Sequence, residues 1–214
     1  YRDIELPGLL GKSPAQLRAA AGKAGLSLSC INLTDPGMAP PGAVTLGSSP
    51  QQIADMLGAL GMFQAVVPMT PFPTGFSRKE GESFQTMFAR AMAEGGADHW
   101  KRTADMLNKA AAALKPFGIV LGYHNHNVEF APAGDATGWD VLVANTDPAL
   151  VHFELDLGWV AASGRDPVAF LNQHAGRVRW IHVKDLLASS KPNVALAMDP
   201  TEVGFGKQDW AHIM

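Results

Sequence analysis

Three short stretches of the sequence carry imidazole and carboxylate groups in strand-like alternation. "LGYHNHNVEF" (121–130) places His124, His126 and Glu129 behind an aliphatic run. "VHFELD" (151–156) holds His152, Glu154 and Asp156, and "RVRWIHVKD" (177–185) holds His182 and Lys184. Every second residue of a strand shares a face. Val120, Gly122, His124 and His126 thus form one set, His152, Glu154 and Asp156 a second, and Val178, Trp180, His182 and Lys184 a third. The opposite parity is apolar: Val151, Phe153 and Leu155, then Ile181 and Val183. It is expected to meet covering helices, which leaves the polar parity for the interior or mouth of a barrel. Imidazole and carboxylate together suit one divalent ion of the Mn, Mg, Zn or Co type. Without a cation or a mutual network, burying this many ionisable groups is costly.

Single residues within these stretches have plainer readings. His152 and His174 read as structural or solvated. Glu154, deeper in its strand than Asp156, is either a site residue or a hydrogen-bonded core carboxylate. Asp185 reads as a helix N-cap, and Asn125 and Asn127 as turn formers. No H-E-x-x-H, paired-cysteine or G-x-S-x-G signature is present.

The elements that must position these groups alternate. Strand-like runs occur at 2–6, 26–33, 63–69, 118–124, 150–156 and 177–183. Helical spacing and capping residues mark 13–25, 49–61, 97–118 and 166–176. Ser13–Pro14, Ser49–Pro50 and Asp166–Pro167 open three of these helices. In the longest, Trp100, Ala104, Leu107, Ala111 and Leu114 define one apolar face. Residues 70–96 are expected to form an extended βα loop with a short helix around Phe84–Ala93. Strand–helix alternation implies a parallel sheet covered by helices, either doubly wound or a (β/α)8 barrel. No G-x-G-x-x-G follows a strand, which disfavours the dinucleotide-binding form.

Composition narrows the function classes. With 17 Lys and Arg against 20 Asp and Glu, and no basic block, nothing marks a nucleic-acid partner. No run reaches membrane-spanning length. Cys30, the only cysteine, cannot form an internal disulfide. The opening "YRDIELPGLL" does not read as a signal peptide. A cytoplasmic location is the expectation, and a leader ahead of Tyr1 would make it periplasmic.

"LGYHNHNVEF", "FELDLGWVAASGRDPVAFL" and "RVRWIHVKDL", flanked by "DMLNKAAAALKPFGI" and "EVGFGKQDW", resemble successive motifs of the sugar phosphate isomerase/epimerase superfamily, the xylose isomerase-like TIM barrels. The resemblance covers most of the chain and is strongest from Ala97 to Trp210. It implies a single (β/α)8 TIM-barrel domain over 1–214 that lacks the family's first and last strands. It also implies one divalent metal ion at the C-terminal mouth. Asp156 and His182 match family ligands, and His124 or His126 stands where the family usually has a glutamate. A fourth ligand is expected beyond Met214, and neither Glu202 nor Asp209 is assigned to that place. A small-molecule sugar or polyol substrate follows, and a homo-oligomer is compatible with the family's habits.

The expected chemistry is isomerisation or epimerisation by proton transfer beside a metal-polarised carbonyl. His126, Glu129 and Glu154 are candidates for base or substrate contacts, and Lys184 for stabilising enolate charge. Trp159 and Phe130 are candidates for an apolar wall against a sugar ring. Alternatives are a keto-sugar lyase or dehydratase on the same site, a non-catalytic sugar-binding barrel, and metal-dependent phosphodiester cleavage, which the acidic charge balance disfavours.

Overall fold

The computed structural model describes residues 2–213. Its long strands are the six that the sequence marks: β1 (Asp3–Leu6), β2 (Ser27–Asn32), β3 (Gln64–Val67), β4 (Val120–His124), β7 (Val151–Asp156) and β8 (Val178–His182). They form one sheet in the order β1-β2-β3-β4-β7-β8, and β1 to β4 and the β7–β8 pair run parallel. Two antiparallel pairs are added, β5 (Pro132–Ala133) with β6 (Ala136–Thr137) and β9 (Asp185–Leu186) with β10 (Pro200–Thr201). The helices are α1 (Pro14–Lys23), α2 (Pro50–Leu60), α3 (Phe84–Leu114), α4 (Gly138–Asn145), α5 (Leu157–Ala162), α6 (Pro167–His174) and α7 (Trp210–Ile213). Two compact units share the chain: 2–71, 106–123 and 147–152 in the first, and 72–105, 124–146 and 153–213 in the second.

The first unit is built from strongly punctuated elements. Ser13 and Ser49 each accept a hydrogen bond from the N–H three residues on, while Gln16 and Gln52 accept from the cap residue's own N–H. Such reciprocal capping satisfies two orphan donors at each helix start and is worth about 1 kcal/mol. Gly61 closes α2 at φ 80, a left-handed position that favours glycine. Ile53, Met56, Leu57 and Leu60 form the buried stripe of α2. Ala65, Val66 and Val67 are fully buried, as a strand covered on both faces requires.

The second unit holds the segment that the sequence marks as an extended connection with a short helix. The short helix expected around Phe84–Ala93 is present and runs on to Gly95. It meets the helix expected from residue 97 at Gly96, whose φ 53, ψ −157 is not helical, so α3 is two helices joined across a kink. Ser83 caps the start by accepting from Thr86 N–H at 3.1 Å. The preceding segment is pinned to α3 by Arg90, which donates to both Glu82 carboxylate oxygens, to Glu94 and to the Ser77 carbonyl. Its guanidinium also lies 4.4 Å from the Phe76 ring centroid. The predicted apolar face of α3 is as expected: Trp100, Ala104, Leu107, Ala111 and Leu114 are all buried. The expectation for Ile181 and Val183 fails. Both are exposed, at 44% and 42%, because apolar type selects a face but supplies no element to cover it.

Two predictions arise from the packing around Trp100. A Cβ on Gly138 would sit 2.8 Å from Trp100 Cζ2 and closer still to Cε2 and Nε1. Since Trp100 is 1% exposed, it has no room to yield. Gly138→Ala is expected to destabilise by about 2 kcal/mol, the usual cost of overpacking. A urea midpoint equal to that of the parent protein would show that the ring can move. His99, against Trp100 at 5.4 Å between ring centroids, is held down to about 4 by burial and by Arg102. Below pH 6.5 the unfolded chain therefore takes up this proton before the native state does. Stability due to neutral His99 is complete above pH 6.5 and is lost as pH falls from there to about 4, by roughly 3 kcal/mol. His99→Gln is expected to flatten the unfolding midpoint over that range, and an unchanged pH profile would refute the assignment.

Candidate active site

Three strands of the α/β sheet end in candidate ligands. His124 is the last residue of β4, Asp156 of β7 and His182 of β8. The β7–β8 register sets Asp156 opposite His182 and Glu154 opposite Trp180, so the parity read from the sequence holds. One ligand atom from each of His124, Asp156 and His182 lies within 4.8 Å of the other two. The His124 ring is 5.1 Å from the His182 ring, centroid to centroid. All of these residues belong to the second unit.

Hydrogen bonding sets the character of His124. Its Nδ1 lies 2.7 Å from Glu154 Oε2, and both side chains are nearly buried. Burial holds His124 down to about 4, despite the nearby Asp156 carboxylate, with His182 and Lys184 acting in the same direction as burial. A neutral imidazole that donates from Nδ1 to a carboxylate presents a bare lone pair at Nε2. That nitrogen faces Asp156 Oδ2 at 3.6 Å, acceptor to acceptor. Converging acceptors of this kind are what a divalent cation satisfies, and the nitrogen and carboxylate donors match Zn²⁺, Mn²⁺ or Co²⁺. The donor set of this chain therefore fits a metal ion.

Asp156 is fully buried and multiply held. Its Oδ1 accepts from Trp159 N–H at 3.0 Å and so caps α5. Its Oδ2 accepts from Lys184 Nζ at 2.7 Å. Its backbone N–H donates to Asn125 Oδ1 at 2.9 Å. Gly158 allows this close approach, since a Cβ there would sit 2.9 Å from Lys184 Cβ and Cγ.

The remaining candidates separate. His126 lies past the end of β4, with its ring 5.1 Å from both the His124 and Trp159 centroids. Burial, followed by His124, Lys184 and His182, keeps it well below the usual imidazole range. Glu129 lies on the 3-10 turn Val128–Phe130, is fully buried, and turns Oε2 back to accept the His126 N–H at 2.9 Å. His174 accepts from Trp139 Nε1 at 3.2 Å inside an aromatic cluster and is structural.

Three roles were not legible in the sequence. Asn127 is no simple turn former: its amide donates to Asn193 and to the Ala197 carbonyl and accepts from Leu196 N–H. Asp185 caps no helix. It lies in β9 as a fully buried carboxylate that gathers five donors from Leu186, Gly204, Gly206, Gln208 and Trp210. Gln208 donates from its amide to the Lys184 carbonyl. All three depend on partners far along the chain, and an isolated Asn, Asp or Gln carries no sign of them.

Residues 2–214 match the family model described as the xylose isomerase-like TIM barrel. The chain belongs to that family. Among relatives of this xylose isomerase-like chain is an inosose dehydratase of Clostridium beijerinckii, 32% identical over 114 residues. That match covers 51% of this chain and 38% of the relative, so the chain spans well under half the length of that curated relative. A sugar phosphate isomerase/epimerase from Parabacteroides distasonis superposes with a TM-score of 0.66 at 25% identity, over 90% of this chain and 71% of that one. The IolI protein with a bound zinc atom shares the fold at 13% identity, with a TM-score of 0.56, over 100% of this chain and 73% of that one. No helix among the described residues is long and apolar enough to cross a membrane.

Proposed function

We propose that this xylose isomerase-like chain carries a divalent-cation-dependent site for proton transfer beside the carbonyl of a polyhydroxylated ketone, a sugar, sugar phosphate or cyclitol ketone. The observation that carries this reading is the convergence of His124, Asp156 and His182 as acceptors at three strand ends, with His126 alongside. These three residues would hold the cation. When bound, such an ion supplies Lewis-acid polarisation of the substrate carbonyl and so acidifies the neighbouring C–H.

The chain's own residues do the rest. Glu154 fixes the His124 tautomer. Lys184 holds Asp156 in place and sets a positive charge where an enolate develops. Glu129 orients the turn that carries His126. His126 is the base that takes the proton from the carbon next to the carbonyl. Return of that proton to another carbon or face gives isomerisation or epimerisation. If the electron pair instead forms a C=C bond and expels the β-hydroxyl, the proton leaves with it as water and the enzyme is a dehydratase. The inosose dehydratase relatives favour this second outcome, and the Parabacteroides distasonis likeness favours the first.

The test is to incubate metal-loaded protein with keto sugars and inososes in D₂O. Deuterium entering the carbon next to the carbonyl supports the reading, and water loss without a rearranged sugar selects the dehydratase form. Neither label nor product with any of these ketones would sink it.

A further inference from the structure

Trp159 is placed unlike two other tryptophans of the second unit. Trp139 donates its indole N–H to His174 and Trp210 donates to Asp185. Trp159 Nε1 is buried with no hydrogen-bond partner, and the same holds for Nδ1 of His126. The two rings lie 5.1 Å apart, and the Lys184 ammonium is 5.3 Å from the Trp159 centroid. The indole is itself fixed, because its backbone N–H is bonded to Asp156 and its side chain packs on the Ala161, Ala162 and Leu186 cluster. A buried indole N–H can only donate, and leaving it unpaired costs about 1–3 kcal/mol. Two unpaired buried nitrogens on adjacent rings, beside the residues that would hold the cation, are complementary to a carbon bearing oxygen.

We propose that the Trp159 indole N–H is a specificity determinant: it donates to a hydroxyl oxygen on the substrate carbon adjacent to the one that His126 deprotonates. The substrate class is thereby narrowed to ketones hydroxylated at consecutive carbons, and an analogue with CH₂ at that place is rejected because it strands the donor. This rests on the proton-transfer reading above, but binding tests it without any turnover.

The probes are a cyclohexanehexol and its monodeoxy analogues, titrated calorimetrically into the metal-loaded protein. The same titrations follow after the indole is replaced by its sulfur isostere, benzothiophene, which keeps the shape and deletes the N–H. Trp159→Phe is the simpler companion variant. The parent protein is expected to bind the hexol about 10- to 100-fold more tightly than one particular monodeoxy compound. The isostere should lose that preference while its affinity for that deoxy compound stays within about twofold. Three results overturn the proposal: a preference that survives the isostere, an equal loss for every polyol, or no polyol binding by the parent protein. Deuterium exchange with an unchanged preference would discard the Trp159 role and leave the proton-transfer site standing. A lost preference without exchange would do the reverse.

Discussion

Asp156→Ala is expected to release the metal ion and to lower kcat/KM by at least about a thousandfold, the equivalent of some 4 kcal/mol of transition-state charge stabilisation. The size of the effect follows from how much one carboxylate does. Its Oδ2 lies among the three converging acceptors and also holds the Lys184 ammonium, while its Oδ1 caps α5. Alanine removes all three functions, and loss of the cap alone costs about 1 kcal/mol. Asp156→Asn separates them. Asparagine caps a helix as well as aspartate does, so folding should be near that of the parent protein, whereas the charge that binds the cation and Lys184 is gone. Elemental analysis of the purified variants, with their thermal midpoints, checks this. An Asp156→Asn protein that keeps one ion per chain and its activity would overturn the ligand assignment.

The parts of this molecule legible in the sequence are those whose determinants are local. Ser13–Pro14 and Ser49–Pro50 are adjacent in the chain, and both helices begin at the proline, where those residues predict. The alternation that groups Glu154 with Asp156 and Trp180 with His182 is a period-two property of each strand, and the β7–β8 register preserves it. What alternation leaves open is where a strand stops. His124 and His126 share a parity, but β4 ends at His124, so His124 joins Asp156 and His182 while His126 turns toward Trp159. The short helix expected around Phe84–Ala93 also forms, and non-helical Gly96 separates it from the longer helix that follows. Ile181 marks a second limit. Its side is set by the pleat, but its exposure depends on what packs across the strand, which no property of the strand encodes.

Asp185 shows the largest gap between residue type and role, and it leads to the second large effect. Burial acts to raise its pKa, yet the donors from Trp210 and from the backbone of Leu186, Gly204 and Gln208 outweigh burial and hold the group below its ordinary value. The stability it contributes is therefore present above the usual carboxylate range and is lost as pH falls through it. Gly206 has no room for a side chain, because a Cβ there would run into the Asp185 carboxylate and the Leu186 carbonyl. The 204–210 segment is thus wrapped around an acceptor-only group. Asp185→Ala should strand several of these donors and cost about 3 kcal/mol, less than their sum because water reaches part of the segment. Asp185→Asn should recover only part of this loss, since an amide turns two N–H groups toward donors whichever way it is flipped. Because Gln208 also donates to the Lys184 carbonyl, and Lys184 holds Asp156, loosening this segment should lower kcat/KM as well. Urea midpoints give the stability, and amide hydrogen exchange at Gly204, Gly206 and Gln208 locates the loss. If both variants unfold within about 0.5 kcal/mol of the parent protein with unchanged exchange at those amides, Asp185 does not organise this segment and the link to Lys184 falls with it.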